Sequence, residues 1–257
     1  MNWREAVNGR LTSAIGYRIV KADQPPAKKP KRPPFPRFYD HEVRSIIRAV
    51  RPWTMTSREK LFALIVATRY VVDQGIPGAV VECGVWRGGS MQAVARVLAA
   101  RGDTSRELHL FDTFEGMPPP TDADVKHGGP PAAELLRARP RTHNVWAIAD
   151  LDDVRSGMAH VDYPAERIHY HPGLVEETIP AAAPERIALL RLDTDWYAST
   201  KHELDHLYDR VQPGGVLIID DYDYWDGSRK AVDEFLAATG ARLLLAPMGS
   251  GRIAVKP

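Results

Sequence analysis

Only one cysteine, Cys83, stands among the 257 residues, which excludes an internal disulfide and any multi-cysteine zinc site. Neither sign of charge is in excess: 34 Lys and Arg against 33 Asp and Glu leave a formal net charge of +1. No field therefore argues for nucleic acid or an acidic partner. No run approaches the roughly 18 consecutive apolar residues that a membrane span needs, and the N-terminus lacks the apolar core of a secretory signal, so a cytoplasmic location is expected. A P-loop and the G-x-G-x-x-G dinucleotide fingerprint are missing too. What remains is ordinary globular usage, with 44% hydrophobic and 26% charged residues, enough to bury one substantial core.

Against that background two acidic strand ends stand out. Leu190-Arg191-Leu192-Asp193-Thr194-Asp195 and Val216-Leu217-Ile218-Ile219-Asp220-Asp221 are apolar runs that stop on carboxylates. A helix-like segment from Ser199 to Leu207 and the turn Gln212-Pro213-Gly214-Gly215 separate them. Consecutive parallel strands of an open α/β sheet end on one edge, where ligands bind, so Asp193, Asp220 and Asp221 are expected to converge at one mouth. Three crowded carboxylates repel unless a cation or a bound proton compensates. A hard, oxygen-seeking ion, Mg²⁺ or Ca²⁺, suits them. An N-cap role for Asp220-Asp221 is the plainer alternative.

The chain divides unevenly. Trp3, Val7, Leu11 and Ile15 fall four apart, one stripe of a short helix within residues 2–20. A basic, proline-rich connector follows from Ala22 to Pro34, expected to be extended. Residues 1–45 thus read as an arm and 46–257 as the regular domain. Thr56-Ser57-Arg58-Glu59 has the form of a capping box with Thr56 as N-cap, opening a helix to about Asp73. Strands are expected over 79–83, 108–111, 168–170, 187–192 and 216–219, with a closing hairpin from 242–245 and 253–256 around Met248-Gly249-Ser250-Gly251. Helices are expected over 90–100, 145–158, 174–179 and 229–238. This alternation predicts a doubly wound, mainly parallel sheet with an antiparallel pair at one edge. Residues 116–142, rich in proline and glycine, are expected as an irregular lid or binding loop.

The first strand carries a second chemical signal, Val80-Val81-Glu82-Cys83-Gly84-Val85-Trp86-Arg87-Gly88-Gly89-Ser90. Its glycines allow a tight turn and close approach of a ligand. An acid before the first glycine suits a cationic ligand better than a pyrophosphate, and Asp112, ending the next strand, can accept the hydroxyls of a ribose. Together these describe S-adenosylmethionine (AdoMet) better than NAD. Aromatic residues near the strand ends, among them Trp86, Trp196, Tyr197, Tyr222, Tyr224 and Trp225, suit stacking on sugar rings.

The run Glu82–Ser90, followed by Phe111-Asp112-Thr113-Phe114-Glu115-Gly116-Met117-Pro118, resembles the macrocin O-methyltransferase (TylF/MycF-like) family. So do His171–Pro180, Leu192-Asp193-Thr194-Asp195-Trp196-Tyr197-Ala198-Ser199-Thr200 and Ile219-Asp220-Asp221-Tyr222. The similarity runs from about Pro52 to Asp233 and departs at Gly173-Leu174-Val175, where an aromatic usually follows the glycine. It implies a class I methyltransferase (Rossmann-like) fold, AdoMet as donor, Mg²⁺, and methylation of a sugar hydroxyl. By position, Glu82, Gly84 and Ser90 would hold the methionine end of AdoMet, Asp112 the ribose and Thr113 the adenosine side. Met55 would lie near the sulfur, and Asp193, Asp220 and Asp221 would ligate Mg²⁺. Asp195 is an alternative ligand to Asp193. Members of the family are typically oligomeric, so at least a homodimer is expected.

A sugar hydroxyl is a poor nucleophile, so a general base is needed. Asp193 is the leading candidate, with His143 and His127 from the lid as alternatives. Beside the saccharide acceptor, two other readings are carried: a catechol-like phenol as acceptor, and a metal-dependent hydrolase. The missing P-loop and the pairing of Glu82 with Asp112 count against the hydrolase. Intact acids at the strand ends count against a non-catalytic scaffold.

Overall fold

The computed structural model describes residues 35–257, and the compact unit runs from Tyr39 to Pro257. The N-terminal helix and the basic connector expected from the sequence lie outside the described residues. The unit starts with α1, His41–Val50, which crosses the boundary expected at 45/46. Asp40 caps it by accepting from the Val43 amide at 2.8 Å. Val43, Ile46, Ile47 and Val50 form its buried stripe, the spacing that one helical face requires.

Helix α2 spans Arg58–Asp73. Its N-cap is Ser57 rather than Thr56: Ser57 Oγ accepts from the Lys60 amide at 3.2 Å. Thr56 is freed for the site described below. The sheet then builds from β1 (Ala79–Cys83), β2 (Leu108–Asp112), β3 (Ile168–Pro172), β4 (Ile187–Leu192), β5 (Val211–Ile219), β6 (Ala246–Met248) and β7 (Gly251–Val255). Their order is β3-β2-β1-β4-β5-β7-β6. The first five pair in parallel, while β7 runs antiparallel to β5 and to β6. The seven-stranded doubly wound sheet therefore matches the expectation. Its last hairpin keeps the expected turn, but its first strand occupies 246–248, not 242–245.

β1 and β4 are buried along their whole length, as strands covered on both faces must be. Side chains alternate between faces: Val80, Leu110 and Leu189 enter one core, under α2 and α3 (Gly89–Ala100), while Val81, Phe111 and Leu190 enter the other. Helices α7 (Tyr197–Leu207) and α8 (Asp226–Thr239) cover that second face, through Leu204, Leu207 and Phe235.

Three segments differ from the sequence reading. The turn expected at Gln212-Pro213-Gly214-Gly215 lies within β5. Residues 145–158 are not one helix: a 3₁₀ turn, Asn144–Trp146, is followed by α5, Leu151–Met158, capped by Asp150 accepting from the Asp153 amide at 2.8 Å. Ala147, at φ 46°, lies in the left-handed region between them and ends the turn. The stretch 116–142 is not loose. It contains α4, Ala132–Arg137, and Ala132 and Leu136 pack with Trp196 and Trp225 in a small core. Asp124, 1% exposed, accepts from Thr121 N (2.7 Å), Thr121 Oγ1 (2.8 Å) and Tyr197 N (2.7 Å), tying the insertion to the start of α7. The short α6, Val175–Thr178, completes the set.

Candidate active site

Because β1, β2, β4 and β5 run parallel, Cys83, Asp112, Leu192 and Ile219 end on one edge. A cleft of about 720 Å³ opens there. Its floor depends on glycine: a Cβ on Gly84, at φ 82°, would fall 2.1 Å from the Asp193 carbonyl oxygen, so only glycine lets β1 and β4 end this close. A Cβ on Gly89 would fall 2.6 Å from Trp53 backbone atoms, so glycine there lets the start of α3 meet the 3₁₀ turn Arg51–Trp53.

The acidic trio converges. Ligand-capable oxygens of Asp193, Asp220 and Asp221 lie within 4.8 Å of one another. Two cations that the sequence reading did not single out sit among them. Arg191 is the register partner of Glu82 across β1 and β4, which places both side chains on one face. From Nη1, Arg191 donates to Glu82 Oε1 and to Asp193 Oδ2, the latter at 2.7 Å. From Nη2 it donates to Asp220 Oδ1 at 2.7 Å and to Thr56 Oγ1 at 3.2 Å. Lys60, in the first turn of α2, places Nζ 2.5 Å from Asp220 Oδ2 and 3.9 Å from Asp221 Oδ1. The signal for Arg191 was present: a lone charge inside an apolar strand must be paired to be buried.

Five carboxyls (Glu82, Asp193, Asp195, Asp220 and Asp221) thus share two protein cations. Burial works against the charge of Asp220, but Arg191 and Lys60 outweigh it and hold this carboxyl below its usual range. Elsewhere burial prevails. It raises Asp193 despite Arg191, with Asp220 and Asp221 adding to the rise. It raises Asp221, with Asp195 and Asp220 contributing, and it pushes Asp195 up to about 7. Asp195 adopts φ 71° and accepts from Trp225 Nε1 at 2.8 Å. Asp221 Oδ2 is buried with no hydrogen-bond partner.

Glu82 is placed differently from its expected role. It is 1% exposed and does not line the cleft, because it is spent on Arg191 beneath the floor. Burial pushes it up to about 7 against the pull of that guanidinium. The other expected cofactor residues, Met55, Gly84, Ser90, Asp112 and Thr113, all line the cleft. Asp112 Oδ2 accepts from the amides of Val85 (2.6 Å) and Trp86 (2.9 Å), and Oδ1 from that of Phe114 (2.8 Å). It therefore ties the glycine turn to β2, and with both lone pairs of Oδ2 taken, Oδ1 keeps one free. Thr113 Oγ1 donates to the Gly116 carbonyl at 2.8 Å. Ser90 Oγ lies 3.3 Å from Thr56 Oγ1, one step from Arg191.

The two histidines separate. His143 lines the cleft, its Nδ1 accepting from the Val145 amide at 3.1 Å. The neutral ring therefore carries its proton on Nε2 and presents a donor. His127 pairs with Asp226 at 2.8 Å and does not line the cleft. The aromatics separate too. Trp196 and Trp225 are buried, edge to face at 5.0 Å. Tyr197 and Tyr222 spend their hydroxyls on Glu234 and Asp233. Trp86 and Tyr224 line the cleft and keep open surface.

A parallel sheet extended by an antiparallel hairpin in this order, with a glycine turn after β1, an acid ending β2 and a cleft at the carboxyl edge, defines a class I AdoMet-dependent methyltransferase. The chain belongs to the macrocin O-methyltransferase (TylF) family, which matches residues 40–249. It is 36% identical over 187 residues to the 8-demethyl-8-(2,3-dimethoxy-alpha-L-rhamnosyl)-tetracenomycin-C 4'-O-methyltransferase of Streptomyces olivaceus, covering 73% of this chain and 69% of that one. To the mycinamicin III 3''-O-methyltransferase of Micromonospora griseorubida it is 34% identical over 182 residues, 71% of this chain and 69% of the relative. The solved structure of the O-methyltransferase NovP superposes with a TM-score of 0.69 at 30% identity, covering 79% of this chain and 82% of that one. The protein is an AdoMet-dependent O-methyltransferase. Among the described residues no helix is long and apolar enough to cross a membrane.

Proposed function

We propose that the protein transfers the methyl group of AdoMet to a hydroxyl of a sugar carried by a natural product, with Mg²⁺ held by Asp193, Asp220 and Asp221. The observation that carries the metal is the charge imbalance of the mouth: five carboxyls against Arg191 and Lys60, with Asp221 Oδ2 buried and unpartnered. A hard dication fits such an all-oxygen donor set. The saccharide class rests on the relatives, one of which is named for methylation of a rhamnosyl-bearing compound.

Held by these three acids, Mg²⁺ would supply Lewis-acid chemistry that lowers the pKa of an acceptor hydroxyl. The remaining roles belong to the chain. Asp112 accepts a ribose hydroxyl with the free lone pair of Oδ1, and Thr113 flanks the adenosine. Gly84, Ser90 and Met55 surround the methionine end. Glu82 acts one step back, fixing Arg191, which in turn sets Asp193 and Asp220. Asp193 receives the proton of the hydroxyl: its side chain is 24% exposed against 6% for Asp220 and 12% for Asp221, so it is the most open of the three acids that line the cleft. His143 serves as a donor to the acceptor, because its basic nitrogen is occupied by the Val145 amide. Tyr224 and Trp86 offer faces for a sugar ring.

The test is methyl transfer from labelled AdoMet to a panel of glycosides and catechols, with and without EDTA. Label in a glycoside, lost in EDTA and restored by Mg²⁺, is expected. Label confined to the catechols would replace the saccharide reading, and undiminished turnover in EDTA would remove the metal. We further propose a homodimer or larger assembly; sedimentation of the full chain as a monomer would contradict it.

A further inference from the structure

A second group of metal-ligating side chains lies away from the cleft, at the opposite end of the sheet from the β6–β7 hairpin. β3 is the edge strand, and it pairs with β2 so that His109 faces His169 and Phe111 faces His171. Alternation sends Leu108 and Leu110 into the first core and leaves Glu107, His109, His169 and His171 together on the other face. Ligand-capable atoms of Glu107, His109 and His169 lie within 4.8 Å of one another. None of the four residues lines the cleft.

The donor chemistry is specific. Glu107 divides its oxygens: Oε1 accepts from Arg167 Nη1 at 2.7 Å, and Oε2 meets His169 Nε2. His109 Nδ1 and His171 Nε2 are 3.0 Å apart. With His109 Nδ1–H donating to His171, the lone pair of His109 is left on Nε2. Holding a ligating imidazole by its other nitrogen is what fixes its tautomer and orientation in metal sites. His171 is itself braced by Phe111, with ring centroids 4.2 Å apart. Burial, reinforced by His169 and His171, lowers His109 to about 4, and burial also lowers His171, so both are neutral at pH 7. The Glu107 and His169 side chains are 39% and 36% exposed, which leaves an entry path.

We propose that Glu107, His109 and His169 bind a borderline transition-metal dication, Zn²⁺ above all, with His171 as the positioning residue. Two imidazoles and a carboxylate are a preferred zinc set, and water would complete the tetrahedron. Donor atoms about 2 Å from zinc sit roughly 3.3 Å apart, so no pair within the 4.8 Å limit needs to close by more than about 1.5 Å. The ion would staple the edge strand to β2, the strand that ends on Asp112. This site is independent of the acidic mouth, whose all-oxygen donors select a harder ion.

Co²⁺ tests this with the full chain, after chelation and in excess Mg²⁺ to occupy the acidic mouth. One equivalent should bind with visible absorption bands of a four-coordinate, nitrogen-containing site, and Zn²⁺ should displace it. His169→Ala and Glu107→Gln should each weaken Co²⁺ binding at least tenfold while methyl transfer is retained. In the unaltered chain, one equivalent of Zn²⁺ should protect His109 and His169, but not His127, from diethyl pyrocarbonate, as read by peptide mass. Unchanged labelling of His109 and His169, or Co²⁺ affinity and bands that survive both substitutions, would overturn the site.

Discussion

Arg191 holds the mouth together, touching Glu82, Asp193, Asp220 and Thr56 at once. The residues around it fall into two groups that can be separated by experiment. Asp112 belongs to the cofactor side and Asp221 to the metal side, and the two share no hydrogen-bond or ion-pair partner. Asp112→Ala should therefore weaken AdoMet binding by roughly 1.5–3 kcal/mol, the range for hydrogen bonds to a charged group, or about 10- to 150-fold, while Mg²⁺ affinity stays within about twofold. Asp221→Ala should do the reverse. Calorimetric titration of each ligand into each variant reads this, and equal loss of both ligands in both variants would mean that the site is one collapsed unit. The acids were legible because they terminate apolar runs. Lys60 was not, since one lysine in the first turn of a helix has no pattern to mark it. Glu82 was legible as an acid before a glycine, but its partner was not: pairing with Arg191 depends on the register of β1 against β4.

Among the elements, the strands were the easiest to read, since short apolar runs rich in β-branched residues and flanked by Gly or Pro, such as Val216–Ile219, favour strands. Boundaries set by single side chains were harder. Thr56 and Ser57 both satisfy the composition of an N-cap, and tertiary contact decided it, because Thr56 Oγ1 is engaged by Arg191. The insertion at 116–142 was misread because its order comes from buried polar contacts, which leave no periodicity. Asp124 is the test of that order. Removing its carboxylate would orphan the amides of Thr121 and Tyr197, and a buried unmet donor costs about 1–3 kcal/mol. Asp124→Ala should increase amide hydrogen exchange across 118–138 and raise the KM for the acceptor several-fold, with AdoMet affinity unchanged. Exchange identical to the parent chain would show that the Trp196 and Trp225 packing alone holds the insertion.

For the whole molecule, the excess of carboxyls at the mouth makes global stability depend on pH and on the proposed ion together. Without the ion, Asp193, Asp195 and Asp221 have folded-state pKa values above the ordinary 3.8, about 7 for Asp195. Between roughly pH 4 and pH 7 these three carboxyls therefore hold more protons in the folded chain than in the unfolded one. Their contribution to stability must fall as pH rises through that window, by about 1.4 kcal/mol per pH unit for each proton difference, and flatten above the folded values. His109 and His171 act in the opposite sense, since their folded pKa values are lowered, so the raw profile mixes both. In a chain first stripped of all metal, the difference between added Mg²⁺ and none removes the histidine contribution, which is common to both conditions. Cation binding displaces the protons of its ligands, so the Mg²⁺-induced rise in melting temperature should be small at pH 5 and grow toward pH 7. Asp193→Asn combined with Asp221→Asn should abolish this rise at every pH. A Mg²⁺ effect that is absent, or that shrinks as pH increases, would mean that the carboxyls of the mouth are balanced by their own protons together with Arg191 and Lys60 and hold no ion.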